Sequence, residues 1–334
     1  MGGDMRVFVT GASGFVGSVL ARRLAMEGIT VHGTYRDSVP PPTGAIEWLR
    51  LALPEVEENL VGVLRDCDCV VHLAALAHQQ GQAGVGRWKE FEAINMEGTR
   101  ALALASRAAG VRRFIFMSSV AAICSRSAVP VSESTPPRPD SDYGRSKLAA
   151  ERALEAALSG GATDWCILRP PLVYGPGNPG NMQRLMQLLA TGLPLPLASI
   201  RNQRSFMFVD NLADAILTTI RREPPIRGTY LICDDSHFAT PELVAALAAA
   251  MGRRPRLLPM PIGALKLLGR VGDALERSLG LRLGMDSYSV ERLIGSLRVD
   301  SARFRESLGW RPPVDRDTAV GLTCKATMTA GRQA

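Results

Sequence analysis

The sequence is poor in the residues from which metal centres and disulfide frameworks are built. It contains four histidines and six cysteines among 334 residues. Cys67 and Cys69 stand two residues apart and the other four cysteines are scattered, a spacing that fits neither a zinc site nor a secreted disulfide scaffold. The sequence therefore predicts no metal ion, and reduced thiols in a cytoplasmic protein.

Long apolar runs are also missing. No stretch approaches the roughly 20 uncharged residues that span a bilayer as a helix. The N-terminal residues lack the charged-then-apolar order of a secretory signal, and the segment from Met5 to Val9 is typical of a strand instead. We expect a cytoplasmic protein with no membrane partner.

The sequence has few aromatic residues, 5% in all, and no long basic run despite a formal net charge of +7. A nucleic-acid-binding surface combines clustered arginines and lysines with interleaved aromatic residues, whereas the arginines here are dispersed in ones and twos. The composition argues against a nucleic-acid partner. A small anionic ligand, such as a dinucleotide or a sugar diphosphate, needs only a few of these positive charges.

What the sequence does contain is a regular alternation of short apolar strands and helices. Strands are predicted at 6–10, 30–35, 69–74, 114–117, 165–168 and 206–209, and helices at 14–27, 54–66, 91–110, 143–159, 181–191, 240–251 and 262–278. The alternation predicts an α/β fold with a Rossmann-type, doubly wound parallel sheet that helices cover on both faces.

The length of the chain exceeds the usual size of a single core, so a second domain is expected. The region beyond the Pro170-Pro171 pair is richer in proline and loops. We predict a dinucleotide-binding domain at 1–171, with a returning segment near 205–234. A smaller, interleaved C-terminal domain for the substrate is predicted at 172–204 and 235–330.

Three glycines mark a candidate phosphate-binding turn. Gly11, Gly14 and Gly17 directly follow a predicted strand and precede a predicted helix, which is the order found in dinucleotide-binding units. The helix N-terminus would present N–H groups and a partial positive charge to the cofactor's phosphates. A purely structural glycine turn is the alternative, and the flanking strand and helix argue against it.

The residue that follows the second strand bears on the choice of cofactor. An NAD site usually places an acid there for the ribose 2′-hydroxyl, whereas Arg36 suits a 2′-phosphate. NADP(H) is therefore slightly favoured over NAD(H). Asp37 turning inward, or Arg36 being merely solvated, would remove that preference.

Tyr143 and Lys147 open a predicted helix and lie one turn apart on the same face. A phenol has a pKa of about 10, and lowering it to about 7 requires roughly 4 kcal/mol. One cation at about 6 Å supplies roughly 3 kcal/mol at an effective dielectric of about 20. Lys147 together with an oxidised nicotinamide is therefore sufficient, where either alone is not. Ser119, just past a strand end, would hydrogen-bond the reacting oxygen.

Together these motifs resemble those of the extended short-chain dehydrogenases/reductases, and among them the NAD(P)-dependent nucleotide-sugar epimerases and dehydratases. The resemblance covers nearly the whole chain. The matching stretches are Thr10–Gly17, His72–Ala75, Asn95–Thr99, Phe114–Ser119, Tyr143–Lys147, Arg169–Gly177, Arg204–Asp210 and Leu308–Pro312.

The resemblance implies which residues bind the ligands and how the chain assembles. The implied cofactor-binding residues are Gly11, Ser13, Gly14, Phe15, Val16, Gly17, Arg36, Leu73, Ala74, Ala75, Asn95, Tyr143, Lys147 and Pro170. The implied substrate-binding residues are Ser119, Asn181, Arg204 and Arg292, with Arg204 at the diphosphate and a solvated charge as its alternative. His78, which follows the alanines, is a candidate for contact with the sugar, and a structural histidine is the alternative. It also implies a homodimer through the helices at 91–110 and 143–159.

The resemblance further implies hydride transfer at C4 of a UDP-linked sugar, as in a UDP-glucose 4-epimerase or a UDP-4-keto-sugar reductase. The chain departs from the family pattern at the end of the third strand, Leu51-Ala52-Leu53, where many relatives have an aspartate, and at Leu172 and Ile123. The last two make room for a 4-ketoreductase. Two alternatives stay open: an NADPH-dependent reductase of small aldehydes or ketones, and a non-catalytic NAD(P)-binding protein, which would have little reason to keep Tyr143 and Lys147.

Overall fold

A computed structural model describes residues 5–38, 40, 46–54, 59–77, 87–178, 180–279 and 287–333. In chain order the strands are β1 (Arg6–Thr10), β2 (Thr30–Tyr35), β3 (Ile46–Arg50), β4 (Cys69–His72), β5 (Arg113–Met117), β6 (Asp164–Arg169), β7 (Leu172–Tyr174), β8 (Arg204–Phe208), β9 (Gly228–Leu231) and β10 (His237–Phe238). The helices are α1 (Phe15–Met26), α2 (Asn59–Arg65), α3 (Trp88–Phe91), α4 (Gly98–Ala109), α5 (Asp142–Leu158), α6 (Asn181–Thr191), α7 (Val209–Arg221), α8 (Thr240–Ala250), α9 (Ile262–Leu279), α10 (Ser287–Ile294), α11 (Ala302–Leu308) and α12 (Arg316–Gln333).

Seven strands form one parallel sheet in the order β3-β2-β1-β4-β5-β6-β9. The inner strands β4 and β5 are buried along their whole length, which explains why they are apolar throughout instead of alternating. Helices α1 and α7 cover one face of the sheet, and α2, α4 and α5 cover the other. The predicted doubly wound α/β fold is confirmed.

A second, smaller sheet has the order β10-β8-β7, and α6, α8, α10 and α12 pack around it in a core of their own. The strand predicted at 206–209 does not return to the large sheet, because it pairs in parallel with β7. Pro170 and Pro171 interrupt the chain between β6 and β7, and proline has no N–H with which to continue a ladder. The strand that does return is β9, which pairs with β6.

The helix predicted at 91–110 is one continuous helical segment with a change of pitch. A π-helical turn at Glu92–Glu97 joins α3 to α4, and Gly110 ends the segment in the left-handed conformation with φ +76°. Such turns are frequent at functional sites, and this one carries Asn95. Within the described residues, no helix is long and apolar enough to cross a membrane.

Candidate functional site

The candidate site lies at the carboxyl edge of the large sheet, between β1 and β4. The strands on the β1 side run outward to β3 and those on the β4 side run outward to β9, so the strand order reverses here. Ligands of open α/β sheets bind in the crevice at such a switch point. The segments that leave the two strands are the glycine turn from Gly11 to Gly17 and the segment from Leu73 to Leu76.

The glycine turn leaves no room for side chains where the backbone closes on itself. Gly11 has a φ of +67°, and a Cβ there would stand 2.9 Å from the backbone nitrogen of Ala74. A Cβ on Gly17 would stand 2.1 Å from the carbonyl oxygen of Gly11. Gly14 is the N-cap of α1 without a side-chain cap, and the first turn of α1 carries no acid. This cradle of uncapped N–H groups fits the phosphates of a dinucleotide.

A network of buried hydrogen bonds holds the glycine turn against β4. The hydroxyl oxygen of Thr10 accepts hydrogen bonds from the N–H groups of Leu73 and Ala74, both at 3.1 Å. Its own proton therefore goes to Nδ1 of His72 at 2.7 Å. Nε2 of His72 must then carry the ring proton, which it donates to the hydroxyl of Thr99 at 3.0 Å.

His72 is thus a neutral structural residue. Its side chain is fully buried, and burial, followed by the nearby charge of Lys147, lowers its pKa to about 3. Thr99 extends the hydrogen-bond network, because its hydroxyl donates to the carbonyl of Asn95 at 2.6 Å. The network links the end of β1 to the π-helical turn.

Asn95 joins the segment after β4 to helix α5. Its amide oxygen accepts from the N–H of Leu76 at 2.7 Å, and its amide nitrogen donates to the carbonyl of Leu76 at 3.1 Å. The same nitrogen donates to the hydroxyl of Ser146 at 2.9 Å. These bonds assign Asn95 to positioning the walls of the site, while the family resemblance implies a contact with the cofactor.

Helix α5 begins close to the turn that carries Ser119. Ser141 caps the helix by accepting from the N–H of Gly144 at 3.1 Å. A Cβ on Gly144 would stand 2.3 Å from the carbonyl oxygen of Ala121, so only glycine allows this approach. The close approach brings Tyr143 within hydrogen-bonding reach of Ser119.

Tyr143 lies against apolar neighbours. Its ring meets that of Phe91 edge to face, with 6.4 Å between the ring centroids. Burial raises the pKa of Tyr143 above its ordinary value, and the hydrogen bond from Ser119 works in the opposite direction. Because burial disfavours the phenolate, which is the form that accepts a proton, positive charge beside it is required for proton transfer near neutral pH.

Lys147 is one turn along the same face of α5 and is buried. Its ammonium donates to the carbonyl of Met117 at 2.8 Å and lies 4.7 Å from the centroid of the Phe116 ring. Burial lowers the pKa of Lys147 to about 8, and the charge of Glu151 opposes that shift. Lys147 is therefore still largely protonated at neutral pH.

Beneath Lys147 lies a buried ion pair. Glu151 accepts from Nε of Arg169 at 2.8 Å and pairs with its Nη2 as well, in a bidentate contact. Ser118 donates to the same carboxylate. Glu151 thus ties α5 to the ends of β5 and β6 and places a negative charge one helical turn from Lys147.

The loops that follow β5 and β6 run side by side. The N–H of Ser118 donates to the carbonyl of Leu168 at 2.8 Å, and that of Val120 donates to the carbonyl of Pro170 at 2.9 Å. These bonds extend the pairing of the two strands past their ends. They hold Ser119 and Pro170 on the same edge of the sheet as the glycine turn.

Arg36 lies at the end of β2, at the outer rim of the crevice. Its Nε donates to Asp37 at 2.8 Å, and both side chains are largely exposed, by 69% and 74%. Asp37 does not turn inward. Thr34, also on β2, accepts from the N–H of Gly11 at 3.0 Å and so supports the glycine turn.

The substrate residues implied by the resemblance lie partly outside the described residues. His78 falls there entirely, and so does the side chain of Asn181, the first residue of α6. Arg204 and Arg292 are brought together, because Nη1 of Arg204 donates to the carbonyls of Arg292 at 3.1 Å and Gly295 at 2.9 Å. Arg204 is therefore held at the C-terminal end of α10.

Sequence reasoning overlooked three residues that shape this site: Gly144, Glu151 and His72. Glu151 offered a usable signal, because it lies four residues after Lys147 and eight after Tyr143, on the same helical face. Gly144 and His72 offered none beyond their place in the quoted motifs, since their importance comes from contacts with distant segments.

Comparison with known proteins agrees with this geometry. Residues 7–233 match the model of the NAD dependent epimerase/dehydratase family. A UDP-glucose 4-epimerase from Vibrio cholerae is 32% identical over 98% of this chain and 97% of its own. An N-acetyl-alpha-D-glucosaminyl-diphospho-ditrans,octacis-undecaprenol 4-epimerase from Escherichia coli O157:H7 is 27% identical over 90% of this chain and 89% of its own.

Among solved structures, MoeE5 in complex with UDP-glucuronic acid and NAD superposes with a TM-score of 0.74. Its sequence is 27% identical, and the match covers 98% of this chain and 100% of that chain. The family match covers well over half of the sequence, and the Vibrio cholerae relative matches it nearly end to end. The chain belongs to the NAD-dependent epimerase/dehydratase family.

Proposed function

We propose that this protein transfers a hydride between NAD(P) and C4 of a UDP-linked sugar, as a 4-epimerase or a 4-ketoreductase. The observation that carries the proposal is the grouping of Tyr143, Ser119 and Lys147 at the edge of the sheet that holds the glycine turn. The relative from Vibrio cholerae is named for 4-epimerisation of UDP-glucose, and MoeE5 was solved with a UDP-sugar and NAD. Both support a nucleotide-sugar substrate.

The residues divide the chemistry between them. Tyr143 takes the proton of the C4 hydroxyl, and Ser119 hydrogen-bonds the same oxygen while it changes from hydroxyl to carbonyl. Lys147 contributes the positive charge that opposes the effect of burial on the Tyr143 phenol. When bound, NAD(P) supplies the hydride acceptor and, in its oxidised form, a further positive charge.

The two activities differ in their need for a reductant, so one experiment separates them. A 4-epimerase interconverts UDP-sugars without added NAD(P)H, because the hydride returns to the sugar. A 4-ketoreductase consumes one equivalent of NAD(P)H for each 4-keto sugar. Incubating the purified protein with a panel of UDP-sugars and UDP-4-keto sugars, with and without NADPH, tests the proposal. A panel in which no UDP-sugar reacts, while small aldehydes or ketones are reduced, would favour the small-carbonyl reductase.

We propose that Arg204 binds the diphosphate of the substrate. Arg292 and Asn181 are proposed to belong to the segments that enclose this diphosphate. The bonds from Nη1 of Arg204 to the end of α10 fix the plane of its guanidinium group. A guanidinium pairs with phosphate oxygens through two parallel hydrogen bonds. His78 is proposed to reach the sugar.

Replacing Arg204 with alanine should raise the KM for a UDP-sugar by roughly ten- to a hundredfold, because a charge-assisted contact contributes about 1.5–3 kcal/mol. The affinity for free UDP should fall in parallel, and that for NADP(H) should not change. Arg201→Ala is the matched control, since Arg201 is a neighbouring exposed arginine. Equal UDP affinity in both variants would remove Arg204 from the diphosphate site.

For the cofactor we propose NADP(H) over NAD(H). The remaining residues implied by the resemblance, from Ser13, Phe15 and Val16 to Ala75 and Pro170, are proposed to line the same site. Arg36→Asp should weaken NADP binding by at least about tenfold while NAD binding holds or improves, since a charged contact to the 2′-phosphate is replaced by repulsion. Calorimetric titration of the two cofactors measures this. Unchanged NADP affinity would show that Arg36 is merely solvated.

We also propose a homodimer that pairs the outer faces of α4 and α5, where Leu104 is 41% exposed.

We further propose a cytoplasmic location, which fits the cysteines, because all six are unpaired.

A further inference from the structure

The substrate domain contains a stretch of one-sided charge. Between Met251 and Gly272 the sequence has five basic residues and no aspartate or glutamate. The basic residues are Arg253, Arg254, Arg256, Lys266 and Arg270, and all five side chains are exposed. These residues give the stretch a local charge of +5, all of it on exposed side chains.

The same stretch concentrates the exposed apolar side chains. Twelve large apolar residues are exposed among those that the structure describes, and five of them fall between positions 258 and 271. These five are Leu258, Ile262, Leu267, Leu268 and Val271. Single exposed apolar residues are ordinary on a protein surface, whereas a cluster marks an interaction site.

Helix α9 has a buried side, which packs on α10, and an exposed side, which carries apolar and basic residues. Its inner side packs on α10 through Leu265, which is buried, and Gly269, where a Cβ would stand 3.0 Å from the Cα of Ser287. Leu267, at 60% exposure, and Val271 lie one turn apart on the outer side. Lys266 and Arg270 flank them at the adjoining helical positions, and Lys266 also pairs with Glu291 at 3.2 Å.

We propose that this surface, hereafter the α9 face (the five apolar and five basic residues named above), docks on a bilayer of anionic phospholipid. An interfacial helix has apolar residues on one side and lysines and arginines beside them, so that the apolar side chains enter the lipid and the cations meet the headgroups. The sequence predicts no membrane partner because it lacks a spanning run, but a peripheral contact requires only a one-sided helix.

The positive charge of the α9 face also argues against a second copy of the chain as its binding partner. A two-fold interface brings the same patch of both subunits together, so that five basic residues would face their own symmetry mates. An anionic lipid surface offers the opposite sign at the same place. The α9 face therefore complements a membrane and repels itself.

Docking would bring the sugar-diphosphate end of the site close to the lipid. Helix α10, on which α9 packs, ends at the carbonyls that hold Arg204. This consequence rests on the proposed function, whereas the docking itself does not.

Co-sedimentation of the full chain with vesicles tests the proposal. The protein should bind vesicles of phosphatidylcholine mixed with phosphatidylglycerol, bind those of phosphatidylcholine alone much less, and be released by added salt. The double variant Leu267→Gln, Val271→Gln should lower the partition coefficient by about tenfold or more, because two apolar anchors are lost. The matched control is Met26→Gln with Val129→Gln, which changes two exposed apolar residues elsewhere and should bind like the parent.

A second double variant shows whether a loss of binding comes from the α9 face or from a folding defect. Arg254→Gln with Arg270→Gln changes only exposed charges and should abolish the preference for anionic over neutral vesicles. Activity on a water-soluble UDP-sugar should be unchanged in all these variants, which separates a failure of docking from a failure of the proposed function. The proposal is overturned if the parent ignores anionic vesicles or if the α9 variants bind as well as the parent. It is also overturned if sedimentation velocity shows that the α9 variants break a dimer while vesicle binding is absent.

Discussion

Replacing Tyr143 with phenylalanine should reduce kcat by a factor of about 10² to 10⁴, the usual contribution of a positioned acid–base group. Only the hydroxyl that receives the C4 proton is removed, and the ring keeps its edge-to-face contact with Phe91. Affinity for NAD(P) and the thermal midpoint should stay close to those of the parent. Steady-state kinetics on the UDP-sugar that turns over best, cofactor titration and thermal unfolding measure these three quantities.

Tyr230→Phe is the matched control for this variant. The hydroxyl of Tyr230 donates to the carbonyl of Arg227 at 3.2 Å, at the start of β9, and takes no part in the grouping around Ser119. This control should keep its kcat. If Tyr143→Phe also kept most of its activity, the proton would have to go to another group.

Replacing Glu151 with glutamine should destabilise the fold by about 3–5 kcal/mol, because it leaves the Arg169 guanidinium buried without its counter-charge. The pair is bidentate, and Glu151 is 3% exposed. Glu90→Gln is the matched control, since Glu90 pairs with Arg87 at 2.6 Å but its side chain is 55% exposed. Breaking an exposed pair should lower the stability far less than breaking the buried one. Denaturant unfolding measures both variants, and equal stabilities would show that the buried pair contributes little to holding α5 against the strand ends.

The glutamine variant at Glu151 should also change the dependence of activity on pH. Lys147 has a pKa of about 8, and Glu151 acts to raise it. Removing that carboxylate favours loss of the ammonium proton, so the alkaline fall in kcat should move to lower pH. Removing both charges, with Glu151→Leu and Arg169→Met, should recover part of the stability but leave the fall displaced. A purely structural role for Glu151 predicts no displacement in either variant.

The parts of the fold that could be predicted depend on local patterns. Buried strands such as β4 and β5 are apolar throughout, and the glycine turn combines a tight turn with a helix start within seven residues. Tyr143 and Lys147 are one helical turn apart wherever α5 lies. Each of these features is determined by neighbours along the chain.

The rest depends on contacts between distant segments. The pairing of β8 with β7 instead of β6 joins residues more than 30 positions apart, and apolar strand character alone does not choose a partner. Glycine at position 144 is required by the carbonyl of Ala121, which lies on another loop. The sequence predicts the helix at 262–278, but the exposure of its outer side follows only from how α9 packs on α10.

The central claim, hydride transfer at C4 of a UDP-linked sugar, is tested most directly with the UDP-sugars of the panel, each carrying deuterium at C4. After incubation with the protein and NAD(P)⁺, mass spectrometry should find the deuterium either still at C4 of the epimerised sugar or on the reduced nicotinamide. The first outcome identifies a 4-epimerase and the second a 4-ketoreductase run in reverse. Loss of the deuterium to water, or a panel in which every UDP-sugar is left unchanged by protein that binds both UDP and NAD(P), would contradict the account.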